Sequence, residues 1–204
     1  MYFAYGSNLW LHQMSTRCPT ATYLGIARLN NYAWLINTRG YANVVEVPNS
    51  PSPSSSPSSS PSHNDTYSHA VYGLVYTLSP TDESRLDKDE GVPSSYTKGY
   101  VSVDFWPSKK SRVVDTTEPP AYTRDNMLVY VDRKRTTVGT PRKEYVHRMN
   151  QGIADAVRLG VPEGYVERVL RKFIEESKEE GWKSGRFARK QTGASKDESR
   201  VVKR

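Results

Sequence analysis

The sequence predicts an α+β fold, a mixed sheet of about six strands flanked by helices, and three stretches carry that expectation. The run Ala70-Val71-Tyr72-Gly73-Leu74-Val75-Tyr76-Thr77-Leu78 is rich in Val, Tyr and Leu on both faces, as a buried central strand is. Thr140 and Pro141 open a segment in which Tyr145, Met149, Ile153 and Ala156 or Val157 recur at three-to-four spacing until Gly160, the mark of an amphipathic helix. A second such segment opens at Pro162, with Tyr165, Val166, Val169, Leu170, Phe173 and Ile174 on one face, and both helices are expected to cover the sheet. With 204 residues the chain can bury one sizeable core, so a single domain over residues 1–178 is expected.

In chain order, Tyr2, Phe3 and Tyr5 are strand formers, Gly6 brings backbone freedom, and Ser7 or Asn8 is a favoured N-cap for a helix from Leu9 to Thr16. Pro19 limits that helix, because the residue before a proline resists the helical region. A turn of this kind sets backbone N–H groups at the positive end of a helix, which suits a carboxylate or a developing oxyanion. β-prone runs at Tyr23 to Ile26, Tyr32 to Ile36 and Ala42 to Val47 are expected to pair with one another. Residues 48–66 are dominated by Ser and Pro, including Pro48, Pro51, Pro53, Pro57 and Pro61, and are expected to form a flexible insertion with nothing to bury.

After the central strand, Ser79-Pro80-Thr81-Asp82 reads as an N-cap followed by proline at the first helical position, predicting a helix through Leu86 to about Asp89. Gly91 fits the left-handed conformation that stops a helix, and this turns Glu90 away from the regular helix surface. Tyr100 to Trp106 alternates as a half-buried strand, and Arg112 to Asp115 and Met127 to Val131 are weaker strand candidates.

The formal charge is +7, but eight basic residues against Asp197 and Glu198 crowd into Lys183 to Arg204, which leaves the body near neutrality. Residues 179–204 are therefore expected to be a disordered basic tail, and no specific nucleic-acid partner is expected. The one cysteine, Cys18, excludes an internal disulfide framework and reads as a structural thiol. With no signal-peptide pattern after Met1 and no apolar run of membrane-spanning length, a cytoplasmic protein without a membrane partner is expected. His12 and His147 lack a second histidine at metal-binding spacing, and His63-x-Asp65-x-x-x-His69 flanks the insertion, so no metal site is expected. No phosphate loop or dinucleotide fingerprint is present.

Two of these stretches taken together, Tyr5-Gly6-Ser7-Asn8 and Glu90-Gly91 within Asp87 to Val92, followed by Tyr96, resemble the γ-glutamylcyclotransferase family. The resemblance extends over residues 1–47, including Arg39-Gly40-Tyr41-Ala42-Asn43, over 70–106, and over Pro141 to Tyr145 with the helices after it. It implies a sheet that is partly closed or a barrel. It implies a substrate cradle at Tyr5, Gly6, Ser7 and Asn8, a general acid/base at Glu90, and hydroxyl contacts from Tyr96 and Tyr145. It also implies a reaction without cofactor or metal, in which a γ-glutamyl amino acid, amine or biosynthetic intermediate closes to 5-oxoproline. The family often has Pro-Ser-x-x-Tyr at the helix start; here Arg142 stands in place of the serine, which allows a more basic rim. The acids Asp87 and Asp89 around Glu90 are expected to raise its pKa. A non-catalytic ligand-binding module of the same fold is the alternative, against which the glutamate at position 90 argues.

Overall fold

The computed structural model describes residues 1–47, 67–109 and 113–177. The expected insertion at 48–66 and basic tail at 179–204 lie outside the described residues.

Among the described residues there are seven strands: β1 (Tyr2–Ala4), β2 (Tyr23–Asn30), β3 (Tyr32–Ile36), β4 (Ala42–Glu46), β5 (Ala70–Tyr76), β6 (Thr97–Pro107) and β7 (Tyr122–Val131). Five of them close into a barrel in the order β1-β5-β2-β6-β7, and β3 and β4 form a separate two-stranded sheet. The barrel is mixed because β1 joins β7 in parallel, Tyr2 opposite Leu128, while the other pairings are antiparallel. As its composition predicts, β5 is buried at every residue and lies between β1 and β2. Phe3, Ile26, Leu74, Leu86 and Met127 are fully enclosed in the core, each worth about 1.5–3 kcal/mol relative to exposure.

The expected pairing of the early strands holds for β3 with β4 and fails for β2, which pairs with β5 and β6 instead. The cause is Asn31, the single residue between β2 and β3. Its φ of 63° turns the chain out of the barrel: its N–H donates to the carbonyl of His69, one step beyond the β2–β5 register, while its carbonyl accepts from the Val47 N–H, one step beyond that of β3 and β4. The strand expected around Arg112 to Asp115 is also absent at 113–115, where the Val114 N–H donates to the carbonyl of Leu159 and the side chain packs into the core.

Among the described residues four α-helices flank the barrel: α1 (Leu11–Arg17), α2 (Pro80–Asp89), α3 (Lys143–Leu159) and α4 (Glu163–Arg168). α2 begins as predicted, with the Ser79 hydroxyl accepting from the Asp82 N–H at 3.2 Å. It ends in a Schellman motif. Gly91 takes φ 65°, its N–H donates to Lys88, and the Val92 N–H reaches back to Asp87. α3 buries Tyr145, Met149, Ile153 and Ala156, the face its periodicity marks. The helix expected after Pro162 stops at Arg168 and passes into a 3-10 turn over Leu170–Lys172, still burying Tyr165, Val166, Leu170 and Ile174.

Neither Ser7 nor Asn8 caps α1, contrary to expectation. Ser7–Leu9 is a 3-10 turn, and α1 starts at Leu11 with Trp10 at the N-cap position and no side-chain cap from it. The cap comes from another helix: Asp155 on α3 accepts from the Leu11 N–H at 2.9 Å through a carboxylate that is only 6% exposed. Asp155→Ala should therefore lower stability by about 1–2 kcal/mol, the usual worth of a lost cap, measurable by urea denaturation.

Candidate active site

The barrel end at which β1 stops and α2 stops encloses a cavity of about 260 Å³. Tyr5, Gly6, Ser7, Asn8, Glu90, Tyr96 and Tyr145, drawn from sequence positions up to 140 residues apart, all line it. The expected site residues are thus brought together in one place. Their bonding differs from expectation in several respects.

Gly6 has φ −113°, so a left-handed backbone is not what requires glycine there. Space is: a Cβ at this position would lie 2.9 Å from the Tyr145 hydroxyl and 3.2 Å from the Ala42 Cβ. The Tyr145 oxygen fills that gap. It accepts from the backbone N–H of Ser7 at 3.3 Å and of Ala42 at 3.2 Å, which leaves its own proton as the remaining group to donate on the cavity side.

Freed from capping, the Ser7 and Asn8 side chains point inward. The Ser7 hydroxyl accepts from Gln13 Nε2 at 2.9 Å and from Arg148 Nη1 at 3.2 Å. Asn8 Oδ1 accepts from Gln13 Nε2 at 2.8 Å and from Arg17 Nη1 at 3.1 Å. Its amide donates to the Tyr2 hydroxyl at 2.9 Å and to Glu90 Oε1 at 3.2 Å. The cradle expected from backbone groups therefore contains an Asn8 side chain that holds the glutamate directly.

Glu90 is the C-cap residue of α2, and the Schellman turn delivers its carboxylate into the cavity with the side chain 17% exposed. Arg17 Nη1 lies 3.5 Å from Oε1, and Arg17 Nε lies 3.5 Å from Asp89. Burial pushes the Glu90 pKa up and outweighs Arg17, the Asn8 hydrogen bond and Arg148, which pull it down; Asp89 adds a smaller upward push. The expected cluster of acids is thus a minor cause. Asp87 is engaged elsewhere, 2.7 Å from Lys98 Nζ and accepting from the Tyr130 hydroxyl at 2.6 Å.

Two of the expected tyrosines have committed hydroxyls. Tyr5 donates to the Tyr130 carbonyl at 2.6 Å, and Tyr96 donates to the Ala42 carbonyl at 2.7 Å, so both present mainly their rings to the cavity. Burial raises the pKa of each, and that of Tyr145, keeping these phenols neutral at physiological pH.

Sequence reasoning missed the cationic side chains of the cavity, Arg17, Arg39 and Arg148, and the rings of Tyr2, Tyr41 and Tyr130. Arg148 follows Tyr145 by three residues on α3, so helical spacing could have found it once Tyr145 was chosen. Arg142, by contrast, does not line the cavity; its Nε donates to the Arg39 carbonyl at 3.0 Å and its guanidinium lies over the Tyr41 ring. Among the described residues no three His, Cys, Asp or Glu side chains gather as a metal site would require, and no helix is long and apolar enough to cross a membrane. Cys18 is buried away from the cavity, its thiol pushed up to about 11 by burial first and Asp82 second.

Over 104 residues the chain is 29% identical to a γ-glutamylcyclotransferase of Bos taurus, and over 112 residues 28% identical to one of Mus musculus. These matches take in 51% and 52% of this chain, which spans about half the length of each of those relatives, 49% and 50%. No family model matches the chain. Among solved structures, an uncharacterised human protein aligns with a TM-score of 0.58 at 24% identity, over 88% of this chain and 90% of its own. A γ-glutamyl cyclotransferase aligns at 0.57 and 23%, over 87% and 88%. YkqA of Bacillus subtilis aligns at 0.57 and 18%, over 86% and 54%. The fold is γ-glutamylcyclotransferase-like, and over about half of its length the chain is similar in sequence to two proteins named γ-glutamylcyclotransferase.

Tyr145→Phe removes an acceptor shared by two backbone N–H groups and leaves both without it in a buried place. We expect a loss of about 1–3 kcal/mol of stability, read by chemical denaturation, well beyond what an exposed Tyr→Phe change costs.

Proposed function

We propose that this protein converts a γ-glutamyl compound into 5-oxoproline and a free amine or amino acid. The observation that carries the reading is the Glu90 carboxylate, delivered into an arginine- and tyrosine-lined cavity by the end of α2 and held there by Asn8 and Arg17. The γ-glutamylcyclotransferase-like fold and the likeness to two named γ-glutamylcyclotransferases support it.

In this reaction the substrate's α-amine attacks its own γ-carbonyl carbon. A C–N bond forms within the new five-membered ring, and the C–N bond to the departing amine breaks. The attacking nitrogen starts as an ammonium and ends as the lactam N–H, so it gives up two protons; the departing nitrogen starts as an amide N–H and ends as an ammonium, so it takes up two. One carboxyl group can accept a proton from the first and pass it to the second, with the remaining proton exchanged through water, so Glu90 ends as it began and no net proton is needed. Folding the substrate so that amine meets carbonyl turns the attack into a proximity problem, which an enclosed cavity helps to solve. Developing charge on the carbonyl oxygen calls for a nearby donor, and the Tyr145 hydroxyl, with both lone pairs engaged, has only its proton to offer. The residues present need no metal or cofactor for these steps.

Glu90→Gln keeps the side chain's shape and its acceptor for Asn8 while removing the exchangeable proton. Turnover, followed as 5-oxoproline release from γ-glutamyl amino acids and amines, should fall by roughly 10²- to 10⁴-fold. The fold should not suffer. Because burial raises the folded-state pKa, ionised Glu90 costs folding free energy above that raised value and costs nothing below the unfolded one. The Gln variant should accordingly melt at pH 7 no lower than the wild type. A folded variant with wild-type turnover would overturn the mechanism; binding of γ-glutamyl compounds by both proteins with turnover by neither would favour a non-catalytic binding module.

The raised pKa also sets the pH dependence. Glu90 must be ionised to accept the ammonium proton, and it is protonated as pH falls through its pKa. The acid limb of kcat/KM should therefore have its midpoint above the ordinary glutamate range, and that limb should be missing from the residual activity of Glu90→Gln.

A further inference from the structure

The three arginines of the cavity are not equivalent. Arg17 is occupied by Asp89, Glu90 and Asn8. Arg148 is occupied by Glu144 at 2.9 Å and by Ser7 and Gln13. Arg39 has no carboxylate within ion-pairing distance among the described residues, and its Nη1 is a buried donor without an acceptor there. A buried charged donor left unpaired is costly, so its persistence beside a cavity needs an explanation.

The surroundings of Arg39 hold it in place without pairing it with an anion. Its guanidinium carbon lies 5.5 Å from the centre of the Tyr41 ring and 5.8 Å from that of Tyr96, a cation–π contact with two rings that line the same cavity. Its backbone is fixed as well. The Arg39 N–H donates to Asn37 Oδ1 at 3.0 Å, and its carbonyl accepts from Arg142 Nε. Arg142 stacks on the same Tyr41 ring, also at 5.5 Å, so two guanidinium groups share one ring and reinforce the positive potential at this wall. Such a group is preorganised for an anion that arrives with its own acceptors, and a guanidinium fork matches the two oxygens of a carboxylate.

We propose that Arg39 is the carboxylate-binding residue of the cavity and thereby sets its preference for substrates that carry that group. The inference rests on the γ-glutamyl reading of the site. A γ-glutamyl amino acid offers two carboxylates, one on the glutamyl α-carbon and one on the departing amino acid, whereas a γ-glutamyl amine has only the first.

The test measures kcat and KM for the full chain and for Arg39→Met and Arg39→Lys, with γ-glutamylalanine and with γ-glutamylethylamine, and checks each variant by thermal unfolding. Arg39→Met keeps an apolar stem against Tyr41 and Tyr96 but removes the donors. We expect it to lower kcat/KM by roughly 10- to 100-fold, chiefly through KM, the range a hydrogen bond to a charged group supplies. Arg39→Lys should recover part of the loss by restoring the charge without the fork. A loss of equal size on both substrates assigns Arg39 to the glutamyl carboxylate; a loss confined to γ-glutamylalanine assigns it to the departing side. Unchanged KM on both substrates in a folded Arg39→Met protein overturns the inference while leaving the proposed function intact, as does a loss confined to kcat that Lys does not recover. Wild-type protein that neither turns over nor binds either substrate overturns both.

Discussion

One oxygen atom sets the geometry of this site. The Tyr145 hydroxyl, carried on α3, accepts from the Ser7 N–H just after β1 and from the Ala42 N–H at the start of β4, so a helix, a barrel strand's exit turn and the separate two-stranded sheet meet at a single acceptor. Buried backbone donors must be paired, and few arrangements would pair both of these at once. The hydroxyl can approach so closely only because position 6 has no side chain. That contact fixes where the turn lies relative to α3, hence where Asn8 points, and through the Asn8 amide where the Glu90 carboxylate rests.

The second constraint is electrostatic. Glu90 sits where burial disfavours its charge, and the groups that favour the charge, Arg17, Asn8 and Arg148, offset that penalty only in part. The Glu90 pKa therefore stays raised, and its ionised form comes at some expense of stability. Asn8 is central to that balance because its two polar atoms serve opposite sides, the amide facing Tyr2 and Glu90 and the carbonyl facing Gln13 and Arg17.

Much of this was legible in the chain. The all-buried β5 follows from a run that is apolar on both faces, and α2 follows from Ser79-Pro80 at one end and Gly91 at the other, because these signals act within a few residues of themselves. The gathering of Tyr5 to Asn8, Glu90, Tyr96 and Tyr145 was expected from the likeness of short motifs to a family. What failed depended on distant partners. β2 left its neighbour β3 for β5 and β6, and α1 took its cap from Asp155, 144 residues away, rather than from Ser7 or Asn8.

The sequence by itself determined the elements that local chemistry enforces: the buried strand, the capped and stopped helix that presents Glu90, and the amphipathic face of α3. Only the tertiary structure decided the closure of the barrel, the size of the cavity and the partner of each charge around it. Arg17, Arg39 and Arg148 look alike as letters, and nothing near them in the chain tells an occupied guanidinium from a free one. The difference arises because a side chain's electrostatic role is set by what lies within a few ångströms of its tip, and at this site those neighbours come from β1, β4, α1, α2 and α3 at once.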